Sequence, residues 1–484
     1  MKRRAALLAG CAVLATAAIA IARPGGGESY SGGGGHGGGG GGGGLALFEL
    51  VFYLLRFLFI FPQFGIPIVL IVVGFFVWNA YKGAKNKDWD SGPAAPVHRA
   101  IDLDDLRDDD PDFSRVLFED FAFRLFATAQ RNRHSAAALA AVGPYLDADA
   151  REALTTRDPV ATPVEGVVIG AMRIVDYEID ERKHISIEFE ANVQTKAHTY
   201  YSVETWQFSR AWDAKSKPPP KPGTTRLFTC PNCGAPWEEK ELGTQVCASC
   251  NQAVDNGRFD WVVDDIDVDS IDERPPTLTE DVPERGTDLP TYRDSGVDAA
   301  LEQLAAADPS FTRPALLARL DAMYTTLNTA WSRGDLGPAR AYLSDSLFDY
   351  LQYWVTAYKT QGLRNNLVDM RITDREIAKV ERDTYYDAIT IRVFGTGKDF
   401  VVRSETGALV RGSKSRDRAY SEYWTLIRSA ARKGPPHGDA TCGNCGAPLK
   451  ITMGGACEHC GAHVTAGEFD WVLSKIEQDD SYRG

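Results

Sequence analysis

The stretch Tyr420-Ser421-Glu422-Tyr423-Trp424-Thr425-Leu426-Ile427-Arg428 leads into Cys442-Gly443-Asn444-Cys445 and Cys457-Glu458-His459-Cys460, and ends in Phe469-Asp470-Trp471-Val472. Trp424 and Leu426 alternate with polar positions, the mark of a half-buried antiparallel strand. Trp471-Val472 reads as the next strand. The cysteines between them read as an inserted module on an elongated hairpin.

The same order occurs once before. Tyr201-Ser202, Glu204, Trp206 and Arg210 precede Cys230-Pro231-Asn232-Cys233 and Cys247-Ala248-Ser249-Cys250, and Phe259-Asp260-Trp261-Val262 follows. Matching Tyr201 to Tyr420 requires one extra residue in the first copy. Further upstream, Asp110-Pro111-Asp112-Phe113-Ser114-Arg115 matches Asp308-Pro309-Ser310-Phe311-Thr312-Arg313, and Met172-Arg173-Ile174 matches Met370-Arg371-Ile372. Both pairs are offset by 198 residues. Two copies in one order predict two tandem domains rather than a solenoid.

Each copy reads as helix and then sheet. Leu316, Leu320, Met323, Leu327 and Trp331 recur at helical spacing, entered at Pro309 and Pro314 and left at Gly334. Phe118, Phe121, Leu125 and Ala129 do the same in the first copy. Ile185, Ile187, Phe189, Ala191 and Val193 alternate along a strand, as do Ile389, Ile391 and Val393. The fold class is therefore α+β. Trp206 with Trp261, and Trp424 with Trp471, are expected to be strand neighbours.

Cys230, Cys233, Cys247 and Cys250 form two Cys-x-x-Cys knuckles 13 residues apart. Cys442, Cys445, Cys457 and Cys460 form two more with an 11-residue gap. Two knuckles supply four thiolates in a tetrahedron, which suits a structural zinc ion. Two zinc ions per chain are expected. Disulfides would suit an exported domain, a redox motif would need one pair only, and iron–sulfur ligation fits the paired-knuckle spacing less well. His459 and His463 stand beside a shell that four cysteines already close.

The chain has 484 residues and a formal charge of −13. That balance excludes a generally basic nucleic-acid footprint. Nine cysteines are too few for a disulfide-built scaffold. Asp265-Ile266-Asp267-Val268-Asp269 opens like a calcium loop, but Ser270 stands where glycine is needed and Pro276 where a bidentate glutamate is needed. It reads instead as the start of an acidic linker.

The beginning of the chain has membrane character. Lys2, Arg3 and Arg4 precede an uncharged run, Ala5–Ala22, read as a signal peptide or first membrane helix. Cys11 closes a lipoprotein-like box, but only about six apolar residues precede it, fewer than the roughly 7–15 of a signal core. Residues 32–44 are glycine except His36, a flexible tether. Phe57–Tyr81 carries no charge over 25 residues, enough to span a bilayer. Lys82, Lys85 and Lys87 then place the remainder on the cytoplasmic side of a bacterial inner membrane.

Each copy resembles the domain of mitochondrial inner-membrane translocase subunit 44 and its bacterial relatives. The resemblance rests on Asp308 and Phe311, on Ala330-Trp331 with Gly334-Asp335-Leu336, on Glu422, Trp424, Leu426 and Arg428, and on Trp471-Val472-Leu473 with Ile476. It implies two cone-like domains, similar to nuclear transport factor 2, with helices over curved antiparallel sheets. It also implies membrane-tethered scaffolding. The resulting division is 1–22 signal or membrane helix, 23–44 tether, 45–82 membrane segment and 83–109 linker. The first domain is 110–268 with ribbon 228–256, followed by an acidic linker at 269–307. The second domain is 308–478 with ribbon 440–466. No catalytic residue is expected, because no His–carboxylate motif recurs: His184 and His198 have no counterparts in the second copy. The expected partners are the membrane and a protein, peptide or lipid, and no nucleic acid. The competing readings are an enzyme using the domain pocket, and nucleic-acid binding at the ribbons through Lys215, Lys217, Lys221, Arg226, Arg428, Arg432 and Lys433.

Overall fold

A computed structural model describes Gly74 and residues 100–484, apart from 158–162, 219–227, 238–243, 274–286, 436–440, 453–454, 480 and 483. Apart from Gly74, the expected signal, tether and membrane segment, with residues 83–99, lie outside the described residues. Among the described residues no helix is long and apolar enough to cross a membrane.

The first copy runs α1 (Asp104–Asp109), α2 (Arg115–Asn132), α3 (Ala136–Leu139), a 3₁₀ turn (Ala140–Tyr145) and α4 (Ala148–Thr156). The strands follow: β1 (Val164–Ile179), β2 (Arg182–Thr195), β3 (Thr199–Ala211) and β4 (Val262–Glu273). The second copy runs α5 (Val297–Ala307), α6 (Arg313–Arg333), a 3₁₀ turn (Gly337–Tyr342) and α7 (Asp345–Thr360). Its strands are β5 (Leu363–Arg382), β6 (Tyr386–Arg403), β7 (Leu409–Gly412), β8 (Arg418–Ser429) and β9 (Val472–Gln478). Each sheet is an antiparallel meander, in the order β1-β2-β3-β4 and β5-β6-β8-β9, with β7 added on β6. The cysteine modules occupy the β3–β4 and β8–β9 connections, as the sequence predicts.

Local chemistry explains the long helices. Ser114 and Thr312 cap α2 and α6 by accepting from Leu117 N and Ala315 N. Gly334 ends α6 in the left-handed region, φ 67°, where a side chain would be strained. The α6 stripe Leu316, Leu320, Met323, Leu327 and Trp331 is buried against the inner face of the second sheet. In α2, Phe118, Leu125 and Ala129 are buried, and Phe121 packs against the same core.

The repeated residues rebuild one core constellation twice. Arg210 Nη2 donates to Asp110 Oδ2 at 2.8 Å, and Arg428 Nη1 to Asp308 Oδ2 at 3.0 Å. Each guanidinium lies over a tryptophan, Arg210 over Trp261 at 4.5 Å and Arg428 over Trp471 at 4.7 Å. Trp206 Nε1 donates to Glu204 at 2.9 Å, and Trp424 Nε1 to Glu422 at 3.0 Å. The Asp-Pro-x-Phe motif is thus the acidic half of a buried ion pair whose basic half ends the third strand.

Several expectations need correction. Both domains begin earlier than expected. Leu103 and Leu106 at α1, and Val297 and Leu304 at α5, are buried in their cores, so 100–109 is not linker. The acidic linker 269–307 is also shorter. Its first residues extend β4 to Glu273, an edge strand whose alternating acidic side chains face solvent. Later in the segment, Asp294 N bonds Ala378 O at 2.8 Å and Leu289 O accepts from Arg392 at 2.7 Å. The β2–β3 and β6–β8 ladders both run without a register shift. No extra residue exists, and Ser202, opposite Ala191, is the counterpart of Tyr420, opposite Gly395. Glycine is needed at 395: a Cβ there would fall 2.5 Å from the Tyr420 ring. The tryptophans are not cross-strand partners either. Trp206 faces Ile266 and Trp424 faces Ile476, because Trp261 and Trp471 stand just ahead of the last strands.

The copies pack together. Val116 and Leu117 of α2 lie on Tyr386, Ala388, Ile427 and Val472, the outer face of the second sheet. Around this patch, Glu381 meets Arg107 at 3.3 Å and Arg115 at 3.4 Å, and Lys475 meets Glu119 at 2.6 Å.

Candidate metal centres

The four cysteines of each module converge. Sγ of Cys230 lies 3.8 Å from that of Cys250, and Cys233 is 3.8 Å from Cys247. Cys442 and Cys460 are 3.8 Å apart, and Cys445 and Cys457 are 4.0 Å apart. Within each group all four sulfurs lie within 4.8 Å of one another. Four thiolates at about 2.3 Å from a zinc ion form a tetrahedron with edges of about 3.8 Å, so both groups could hold such an ion.

All four knuckles use one turn. Gly234 N bonds Cys230 O and Cys230 N bonds Ala235 O, both at 2.9 Å. The same pair of bonds recurs at Cys247, Cys442 and Cys457. The turn demands positive φ at the residue after the second cysteine. Gly234 (72°), Gly446 (71°) and Gly461 (70°) meet that demand, and Asn251 (53°) takes the position in the fourth knuckle.

Two residues in this arrangement escaped the sequence reading. Asn232 Nδ2 points at Cys250 Sγ at 3.4 Å, and Asn444 Nδ2 at Cys460 Sγ at 3.5 Å. Each amide donates across the site to the last cysteine and favours its thiolate. The Asn232 amide holds Cys250 down at about 7, and the Asn444 amide holds Cys460 at about 6. Burial pushes the Cys230 thiol up to about 12. The legible signal was asparagine at the same place in both first knuckles, Cys-x-Asn-Cys.

The ribbons are fixed to the domains by different contacts. Trp237 Nε1 bonds Ala140 O at 3.0 Å, Tyr145 Oη bonds Thr229 O at 2.8 Å, and Arg151 pairs with Asp255 at 3.1 Å. In the second copy Asp345, at the start of α7, holds His463 Nε2 at 2.9 Å and Thr465 Oγ1 at 2.7 Å, and also pairs with Arg340. His463 is therefore a docking residue rather than a bystander. The basic residues near the ribbons are engaged locally. Lys215 bonds Asp109 at 2.6 Å, Lys217 bonds Asn232 O at 3.0 Å, and Arg432 bonds Phe469 O at 2.7 Å. Lys221 and Arg226 lie outside the described residues.

His184 and His198 do not come together. They sit at opposite ends of the β2–β3 hairpin, paired with Asp180 at 3.2 Å and Glu273 at 2.6 Å. The Asp265–Asp269 segment is strand β4, not a calcium loop.

Residues 297–437 match the Tim44-like domain family, a stretch that opens at α5 and ends ahead of the second ribbon. The chain is also similar to the mitochondrial import inner membrane translocase subunit TIM44-1 of Arabidopsis thaliana, 24% identical over 127 residues. That similarity covers 26% of this chain and 26% of the relative, so the chain spans about a quarter of the length of the curated relative it matches. The match to the Tim44-like domain family thus falls within the second copy.

Proposed function

We propose that the protein is a membrane-anchored, non-catalytic scaffold that presents two packed Tim44-like domains to a protein partner in membrane protein translocation or assembly. The observation that carries this reading is the Tim44-like match over 297–437, joined to the Asp–Arg–Trp constellation that builds the first copy the same way. The anchor is assigned to residues 1–22 and 45–82, with the domains on the cytoplasmic side of a bacterial inner membrane.

Each ribbon holds one structural zinc ion, through Cys230, Cys233, Cys247 and Cys250 and through Cys442, Cys445, Cys457 and Cys460. Bound zinc would cross-link the two knuckles of each ribbon. Four protein sulfurs leave no position for a substrate, so the metal serves folding. Asn232 and Asn444 orient and stabilise the last thiolate of each set, as outer partners of metal ligands do.

The test is cross-linking in membranes, followed by purification of the full chain in detergent and identification of the attached proteins. Translocation or membrane-insertion components are expected. Recovery of soluble metabolic enzymes alone, or of no protein, would overturn the reading. A reporter fused after Gly484 and active only outside the cytoplasm would overturn the topology.

A further inference from the structure

Where α2 lies on the outer face of the second sheet, the packing is incomplete. A cleft of about 220 Å³ remains between the copies. Its walls combine α2 and β1 of the first copy with β5, β6, β8, β9, the start of α7 and the C-terminal residues Ser481, Tyr482 and Gly484 of the second.

Two features set the chemistry of that cleft. The first is the way the strands meet it. Strands β6 and β8 contribute alternate residues, Ala388 and Thr390, Thr425 and Ile427, as a sheet seen face-on must. Strands β1 and β9 instead contribute five consecutive residues each, Ile169–Arg173 and Ser474–Gln478. Bulges at Ile169/Ala171 and at Ser474 bring some of these neighbours onto one side, and the rest reach the cavity because it runs along a strand's edge. Both are edge strands: among the described residues β1 pairs only with β2. Beyond Leu473, which meets Leu343 in an isolated bridge, β9 pairs only with β8 among the described residues. Each therefore offers roughly 15 Å of edge with backbone donors and acceptors.

The second feature is the polarity of the wall. Most of its charges are already engaged: Glu119 with Lys475 at 2.6 Å, Glu381 with Lys379 at 3.2 Å, and Arg173 with Glu190 at 2.5 Å. Acidic Glu119, Asp120, Glu381 and Glu477 outnumber Arg173, Lys379 and Lys475, which disfavours an anionic headgroup. The remaining polar groups include hydroxyls such as Thr390 and Thr425, 2.9 Å apart, which can donate or accept.

We infer that this cleft binds an extended, neutral or basic peptide segment, seated between the β1 and β9 edges by main-chain hydrogen bonds. Such strand addition takes affinity from the backbone and selectivity from alternate side chains. The apolar surfaces of Phe123, Met172 and Ile427 receive those side chains. The inference rests on the scaffold reading and assigns the chemical class of partner segment that the paired domains accept.

The experiment uses the full chain in nanodiscs and three probes. The first is a fluorescein-labelled nonapeptide of alternating Val and Thr with Lys at each end. The second is the same peptide with alternate residues N-methylated, and the third is oleate. Saturable binding of the first by fluorescence anisotropy is expected, weakened about tenfold by N-methylation and about tenfold by Thr425→Trp, which fills the cleft from its floor. Ser346→Trp, at the start of α7, repeats the block should Thr425→Trp fail to fold as judged by circular dichroism. Equal binding of the N-methylated peptide, oleate binding without peptide binding, no binding, or indifference to both variants would each overturn the inference. Partner proteins still captured by a Thr425→Trp chain that has lost the peptide would leave the scaffold reading standing without this site. Absence of partners from the parent chain would remove the scaffold reading itself.

Discussion

The two ribbons share the knuckle turn and nearly the same sulfur–sulfur distances, yet they are docked by different chemistry. The first rests on an indole N–H and a tyrosine hydroxyl bonded to backbone carbonyls, with one ion pair, Arg151–Asp255. The second hangs on one carboxylate, Asp345, shared by an imidazole, a hydroxyl and a guanidinium. The metal-site geometry is therefore a property of the knuckle sequence, and the docking is a property of each domain. The buried ion pairs differ similarly. Arg428 has a second acid, Asp387, at 3.4 Å, whereas the residue opposite Arg210 on β2 is Lys183.

The largest effect should follow from breaking one metal centre. Cys445→Ser should halve the zinc content of the purified chain and unfold the second ribbon only, because the eight sulfurs form two separate groups. Loss of both ions in elemental analysis would show that the ribbons are coupled. Next come the buried pairs. Removing one partner of such a pair costs about 3–5 kcal/mol. Asp110→Ala should lie at the upper end, since among the described residues Arg210 then keeps no ion pair and faces Lys183, and Asp308→Ala at the lower end, since Asp387 remains. Urea denaturation of the full chain measures both, and equal costs would remove the asymmetry.

The contact between copies should respond to acid. Partly buried Glu381 is held well below the usual carboxylate range, at about 2, because its desolvation is outweighed by Arg115, Lys379 and Arg107. Its contribution is present above about pH 4.5 and is lost as pH falls through about 2. Fluorescence transfer between dyes on the two copies should fall across that window, and Glu381→Gln should reduce the acid dependence, leaving the part carried by Glu119 with Lys475. The smallest effect concerns docking. Asp345 is half exposed, so Asp345→Asn should cost only a few tenths to about 1 kcal/mol. Faster hydrogen exchange in 455–466, with the first ribbon unchanged, is the expected signature.

Much of this was readable from the sequence. The cysteine spacing, the two copies and the strands around Ile187 and Ile391 follow from pattern alone, since one buried face writes period two. The outer face of β8 was not readable. Tyr420 to Trp424 are all buried because the second sheet is covered on both sides, which erases alternation and hid the Ser202–Tyr420 correspondence. Helices α1 and α5 were missed because they bury too few apolar residues for a periodic signal, Leu106 alone in α1, with Leu103 just ahead of it, and Val297 and Leu304 in α5. Docking through His463 could not be foreseen, because its partner lies 118 residues away.

The position of the ribbons bears on how the chain assembles. Ala211 N bonds Gly257 O at 2.8 Å and Ser429 N bonds Gly467 O at 2.9 Å, so each module leaves its sheet and returns to nearly the same point. Until its knuckles are cross-linked, each last strand must find its neighbour across a long open loop, an entropic delay that grows with loop length. A bound ion would shorten that search for β4 and β9 alike. If the proposed zinc ions bind, the supply of metal would act as a clock for assembly: each sheet would close, and bring Trp261 or Trp471 beneath its arginine, at the pace at which its ribbon was loaded.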